Sequence, residues 1–250
     1  MFAPSSAKGH TMHAVILAGG KGTRLKPYTT ILPKPLMPIG DLPILEVVLR
    51  QLKARGFEKV TVAIGYLAEL LQAFFQDGAR LGLQIRYSLE DTPLGTAAPL
   101  KLIGDLPDHF LMMNGDILTT LNFRDFMDFH LNRNTIMTIA SYRRTVKIDF
   151  GVIEADSNGC VEKYIEKPPL DYRVSMGIYA LRADALAYIP ENRYFDLPDL
   201  VKALLAAGQK ISLYPFDGYW LDIGRPDDYA LAVEEFETRR SLFLPGGQSS

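Results

Sequence analysis

Residues 13–24 read HAVILAGGKGTR. The first five, His13–Leu17, form a short apolar, β-branched run suited to a buried strand. Gly19, Gly20 and Gly22 follow directly. Glycines after a strand let backbone N–H groups approach phosphate oxygens without side-chain interference. A tight structural turn would use the same glycines. The pattern is not a dinucleotide fingerprint, because Leu25 occupies the third glycine position and no acid ends the second strand. It is not a P-loop, because no Gly-Lys-Ser/Thr is present.

Beyond this stretch, strand and helix signals alternate. After an irregular stretch with Pro27, Pro33, Pro35 and Pro38, Pro43 opens a helix with Ile44, Leu45, Val47, Val48 and Leu52 on its apolar face. Lys59–Ile64 reads as a second strand, Ala68–Gln76 as a helix, Leu83–Tyr87 as a third strand and 96–103 as a short helix. Phe110–Met113 makes a fourth strand running into Asn114-Gly115-Asp116, and Asn122 caps a helix to about Arg133. This alternation predicts a doubly wound, mostly parallel α/β sheet.

The second half is less regular. Asp156-Ser157-Asn158-Gly159 marks a hairpin between Phe150–Glu154 and Val161–Ile165. Strands are expected at Thr135–Ser141, Val174–Leu181 and Ile211–Tyr214. Asp196 reads as the cap of a helix, and Pro226–Arg239 as a terminal one. The expected organisation is one domain over 12–240, with halves at about 12–133 and 134–240, between loose tails at 1–11 and 241–250.

The 250 residues include 27 Lys plus Arg, 29 Asp plus Glu, one cysteine and 48% hydrophobic residues. That composition excludes a disordered chain, and Cys160 has no partner for a disulfide framework. No apolar run approaches a membrane span, and residues 1–11 lack a secretion signal's apolar core. Neither nucleic acid nor membrane is an expected partner, and the expected location is the cytoplasm. Charge is nevertheless uneven. Residues 1–40 hold Lys8, Lys21, Arg24, Lys26 and Lys34 and no acid, which leaves 22 basic and 29 acidic residues for the remainder. A focused anion site and chance surface placement both fit this distribution. Two prolines around Lys34 are expected to hold its backbone extended and restrict its side chain. The four histidines show no metal-ligand spacing.

The run from Ala14 to Glu46, AVILAGGKGTRLKPYTTILPKPLMPIGDLPILE, resembles the opening of the sugar-1-phosphate nucleotidylyltransferases. Asn114-Gly115-Asp116, Phe150-Gly151-Val152, Glu166-Lys167-Pro168 and Trp220-Leu221-Asp222-Ile223-Gly224 continue the resemblance in the family's order, over roughly 12–236. Glu90-Asp91-Thr92-Pro93-Leu94-Gly95-Thr96-Ala97 looks most like the mannose-1-phosphate and D-glycero-D-manno-heptose-1-phosphate guanylyltransferases. The resemblance implies a Rossmann-like sheet with a small β-rich sugar-binding lobe. It also implies a reaction in which a sugar 1-phosphate and an NTP give an NDP-sugar and pyrophosphate.

Such a reaction needs no Ser-His pair, because the nucleophile is already an anionic phosphate oxygen. It needs two anions aligned and their charge neutralised. By resemblance, Leu17, Ala18, Gly19, Gly20, Lys21, Gly22 and Thr23 hold the nucleotide, together with Glu90, Pro93, Gly95 and Thr96. Arg24 and Lys34 are the expected catalytic cations. Asp116 and Asp222 are the expected Mg²⁺ ligands, a pair suited to an ion that takes few protein ligands. Asn114, Gly151, Glu166, Lys167 and Ser175 are expected around the sugar phosphate. The family often has Asn before its Gly-Ile-Tyr strand, and here the run is Val174-Ser175-Met176-Gly177.

Glu90 falls where relatives read the base edge. A carboxylate accepts from the guanine N1–H and N2–H₂ donors, whereas uracil and thymine offer one donor between two acceptors. The expected NTP is therefore GTP and the expected sugar mannose or manno-heptose 1-phosphate. The alternatives are a uridylyl-, thymidylyl- or cytidylyltransferase, or a non-catalytic nucleotide-sugar-binding relative. A homo-oligomer is compatible with all of them.

Overall fold

The computed structural model describes residues 11–244. Strand β1 is Met12–Leu17, and three 3-10 turns, Thr23–Leu25, Tyr28–Thr30 and Lys34–Leu36, follow it. Two short strands, β2 (Pro38–Ile39) and β3 (Leu42–Pro43), lead into α1 (Ile44–Ala54). Then come β4 (Phe57–Ile64), α2 (Ala68–Phe75), β5 (Gln84–Leu89), a 3-10 turn (Ala98–Leu102), β6 (His109–Asn114), β7 (Ile117–Thr119) and α3 (Phe123–Arg133). The second half holds β8 (Met137–Lys147), β9 (Val152–Ala155), β10 (Val161–Ile165), β11 (Pro169–Arg182), α4 (Leu197–Ala206), β12 (Ile211–Phe216), β13 (Trp220–Asp222), α5 (Pro226–Thr238) and α6 (Arg240–Phe243).

Seven strands form one sheet in the order β12-β8-β11-β6-β1-β4-β5. All pair in parallel except β11, which is antiparallel to both neighbours. The expected doubly wound, mostly parallel sheet is present. Alternate residues of each strand enter different cores, as the two-residue strand period requires. Ala14 and Ile16 of β1, with Leu111 and Met113 of β6, face Leu45, Val48 and Leu52 of α1, Leu71 of α2 and Phe126 of α3. Val15 and Met112 face the other way, toward Leu197, Leu200 and Leu204 of α4. A third core joins Leu25, Met37 and Ile39 to Ile223, Phe236 and Phe243.

The order of pairing locates the site. The chain proceeds from β1 to β4 and β5 on one side, then returns to lay β6 on the other side of β1. Open α/β sheets bind ligands where the direction of strand addition reverses, outside the strands' carboxyl ends. Here that point lies between Leu17 of β1 and Asn114 of β6, which pair directly. The glycine loop leaves one strand and Gly115-Asp116 leaves the other.

The β-rich part is a ribbon. The Lys147 end of β8 and the Pro169 end of β11 pair from Pro169↔Lys147 to Ser175↔Ser141, and the β9–β10 hairpin forms a separate two-stranded sheet. Three expectations change. The stretch from 241 is not loose up to 244: α6 forms there and Phe243 is fully buried, a contribution of about 2 kcal/mol. Lys34 is not extended, because it opens a 3-10 turn in which its carbonyl accepts from Met37 N. Asp196 does not cap α4 with its own side chain, because that carboxylate is bonded elsewhere. The rest of the expected tails, 1–10 and 245–250, lies outside the described residues.

Candidate active site

A cavity of about 760 Å³ opens at the switch point. Leu17, Gly19, Gly20 and Lys21 line it from the first loop, Glu90, Pro93, Gly95 and Thr96 from the loop after β5, and Asn114 and Asp116 from the end of β6. Ten residues expected from the sequence thus converge on one space. Tyr66, Asp91, Tyr194 and Asp196 also line it and were not expected there. Tyr66 had a signal, since Gly65-Tyr66 directly follows β4, the other neighbour of β1. Asp196 carried only the signal of a helix cap.

Asp116 is placed by backbone geometry. Gly115 N donates to Leu17 O at 2.9 Å, and a Cβ on Gly115 would stand 3.0 Å from that oxygen. The close approach of β6 to β1 brings Asp116 beside the glycine loop. Its Oδ2 pairs with Lys34 Nζ, and Lys34 is only 9% exposed. A lysine buried to that degree needs a paired charge. Asp116 Oδ1 is buried and has no hydrogen-bond partner. Asp116 O accepts from Ile223 N at 3.1 Å, and Asp222 pairs with Ile117 across the β13–β7 ladder. The two carboxylates therefore stand side by side. Although Asp222 keeps solvent access, desolvation by surrounding protein and then the Asp116 charge push its carboxyl up, against Lys34 and Arg24, which lower it. Two neighbouring carboxylates, one with an unpartnered buried oxygen, form a donor set that fits Mg²⁺.

The cations reach this pair from the first loop. Gly22 has φ +58°, and its carbonyl accepts from Thr29 Oγ1 at 2.8 Å, which closes the loop. Thr23 and Arg24 start the following 3-10 turn, and both are exposed. Ala18 is buried behind the loop, with its N–H on Ala63 O at 2.8 Å.

Glu90 extends β5 by donating its N–H to Ile64 O at 3.0 Å. Its Oε2 accepts from Leu94 N at 3.1 Å, and its Oε1 lies against Gly19 and Gly65. Burial raises the Glu90 carboxyl above the usual carboxylate range, and the Leu94 N–H offsets part of that rise.

The residues expected around the sugar phosphate are divided. Gly177, at φ +71° in the break between the two paired stretches of β11, would put a Cβ 2.7 Å from Asn114 Nδ2. The Ser175 segment therefore comes against Asn114. Ser175 Oγ bonds to Tyr179 OH at 2.9 Å and accepts from Gly177 N at 3.3 Å. Gly151, Glu166 and Lys167 do not line the cavity. They lie at the hairpin, where Gly151 packs against Tyr164 and Tyr164 OH donates to Glu166 Oε2 at 2.9 Å.

Comparison with known proteins follows the same lines. The sequence profile of the Nucleotidyl transferase family matches residues 13–239. UTP--glucose-1-phosphate uridylyltransferase of Synechocystis is 34% identical over 259 residues, covering 94% of this chain and 66% of the relative. Mannose-1-phosphate guanylyltransferase of Mycobacterium tuberculosis is 36% identical over 227 residues, covering 88% of this chain and 63% of the relative. This chain thus spans just under two thirds of the length of these relatives. The crystal structure of HddC from Yersinia pseudotuberculosis has a TM-score of 0.71 at 24% identity, covering 90% of this chain and 99% of that one. At that identity it speaks to the fold alone.

Proposed function

The chain belongs to the Nucleotidyl transferase family, and from that premise we propose that it joins GTP to mannose 1-phosphate or manno-heptose 1-phosphate, giving a GDP-sugar and pyrophosphate. The observation that carries this reading is the Lys34–Asp116 pair, set beside Asp222 at the mouth of the glycine loop. In this reaction a sugar-phosphate oxygen attacks the α-phosphorus in line, the bond to the β-phosphate bridge breaks, and pyrophosphate leaves with its charge. The Gly19–Gly22 backbone and Lys21 hold the triphosphate. Arg24 forks across phosphate oxygens, and Lys34 neutralises charge at the α-phosphate. Asp116 and Asp222 would hold Mg²⁺, which would neutralise and orient the phosphates. Asn114, Ser175, Gly151, Glu166 and Lys167 take the sugar phosphate. We infer a cytoplasmic location for this activity, as the compartment that supplies nucleoside triphosphates; among the described residues no helix is long and apolar enough to cross a membrane.

Glu90 supports GTP. Leu94 N–H uses one of the carboxylate's roughly four acceptor positions, and the rest suit paired N–H donors such as the guanine edge. The relative named for UTP and glucose 1-phosphate makes UTP the competing nucleotide. The test is a matrix of GTP, UTP, dTTP and CTP against sugar 1-phosphates with Mg²⁺, read by pyrophosphate release. Release with GTP and a manno-configured sugar phosphate is expected, and no release from any pair would overturn the proposal. Glu90→Gln should relax the GTP preference toward UTP. An unchanged preference would remove Glu90 from base recognition.

A further inference from the structure

Tyr194 is 63% exposed, yet its position is fixed. Its hydroxyl donates to Asp196 Oδ2 at 2.8 Å, which raises the phenol's pKa. The other oxygen, Asp196 Oδ1, accepts from Thr96 N at 2.9 Å and from Thr96 Oγ1 at 3.0 Å. Thr96 Oγ1 in turn accepts from Leu197 N at 2.8 Å, so the threonine supplies the α4 cap that Asp196 does not. Backbone bonds complete the frame. Phe195 N donates to Leu94 O at 2.9 Å, and Ala97 N donates to Phe195 O at 2.9 Å. Gly95, at φ +90°, passes so close that a Cβ would stand 2.7 Å from Phe195 O. Leu94 is also the residue whose N–H holds Glu90. Residues 194–196 and the loop that carries Glu90 are therefore one hydrogen-bonded unit, although they lie in different halves of the chain.

That unit presents two side chains of different chemistry to the one cavity: the Glu90 carboxylate, which reads polar edges, and the Tyr194 ring, which offers a face. An exposed ring that lines a cavity and is tethered at its hydroxyl is a pre-ordered stacking surface, and every nucleobase has a complementary face. We propose that Tyr194 contacts the base of the bound nucleoside triphosphate through its ring, with Asp196 as the positioning residue that holds both the ring and the Gly95–Thr96 loop. This rests on the reading of the cavity as a nucleoside triphosphate site.

The test measures GTP, UTP and inorganic triphosphate binding by calorimetry without sugar phosphate, together with steady-state kinetics. Tyr194→Ala should weaken binding of the preferred NTP and raise its KM about tenfold. It should leave kcat, the KM for sugar phosphate and the affinity for inorganic triphosphate within about twofold of wild type. Tyr194→Phe keeps the ring and loses only the tether, so it should recover most of the lost affinity. Asp196→Asn still accepts from Thr96 and donates from Nδ2 to the Tyr194 hydroxyl oxygen, a neutral tether in place of the charged one, so its affinity should fall between those of Tyr194→Phe and wild type. Equal NTP affinity in wild type and Tyr194→Ala would overturn the proposal while leaving the nucleotide reading intact. So would a loss that falls on the sugar phosphate or equally on inorganic triphosphate. Failure of wild type to bind any NTP would overturn both. An unchanged thermal midpoint in each variant separates these outcomes from misfolding.

Discussion

A methyl group added at Gly19 would overlap Glu90 Oε1, and one added at Gly151 would overlap the Tyr164 hydroxyl. The two clashes look alike and differ in what must move. Glu90 is held at its other oxygen by Leu94 N and lies between the backbones of Gly19 and Gly65. Tyr164 is 61% exposed and can turn into solvent. The contrast extends to the regions around them. At the switch point, functional side chains stand on the ends of buried parallel strands and are tied to one another. On the ribbon and hairpin, Glu166 and Lys167 stand in solvent in the bend between β10 and β11, and Phe150, Ile153 and Val161 are exposed with them. The first region is pre-organised before substrate arrives. The second can adjust to it.

The largest effect that would break this contrast is expected at Lys34. Lys34→Met removes the partner of Asp116 and the cation proposed at the α-phosphate while keeping the aliphatic bulk. We expect kcat to fall about 10²- to 10³-fold, the magnitude of losing one aimed transition-state donor. A fall of less than about fivefold would mean that the buried pair is structural only.

Next is an acid-dependent loss of stability, confined to the body. His130 is buried, with Nδ1 2.8 Å from Thr138 Oγ1 and Nε2 3.0 Å from His109 Nδ1. Burial, then the His109 and Arg182 charges, lower its pKa from 6.5 to about 4. A histidine depressed in the folded state binds more protons when unfolded between those two values. Its stabilisation is complete above about pH 6.5 and declines as pH falls toward 4, by a total of about 3 kcal/mol. Denaturant titrations at pH 7 and pH 4.5 should show this decline, and His130→Asn should flatten it. Hydrogen exchange should place the loss on α3 and β8 rather than on the hairpin.

Gly19→Ala should follow, with a loss in kcat/KM for the nucleotide of about thirtyfold, roughly 2 kcal/mol, because the displaced group is the pinned Glu90 carboxylate. A variant with normal nucleotide kinetics would show that Glu90 is as free as Tyr164.

The same contrast governs what could be read from sequence. The first strand, its glycines and the strand-helix alternation through Arg133 are local signals, since period and turn chemistry sit within a few residues of each other. Asp116 was legible because a strand end in such a sheet faces the ligand crevice. The antiparallel course of β11 was not legible, because pairing partners lie far apart in the chain. The length of the ribbon was also missed. Its polar residues, such as Arg143, Thr145 and Asp171, bond across the strands at their exposed ends and leave no alternating apolar pattern. Asp196 carries the signal of a helix cap, but its carboxylate is taken by Thr96, a hundred residues earlier. Such a choice between equivalent donors is made by tertiary packing, and with it went the signal for Tyr194.

Gly151→Ala is the smallest and most discriminating change. The new methyl group displaces the Tyr164 hydroxyl, and the cost is that of turning an exposed ring and losing its 2.9 Å bond to Glu166 Oε2. Stability should change by less than about 1 kcal/mol, as for surface substitutions generally. If the hairpin presents Glu166 to the sugar, freeing that carboxylate should raise the KM for sugar phosphate about two- to threefold and leave the KM for the nucleotide unchanged, a shift of about 0.5 kcal/mol. A rise in the nucleotide KM instead would show that hairpin and cavity form one rigid unit. The adjustable hairpin and the fixed switch point would then no longer be separable.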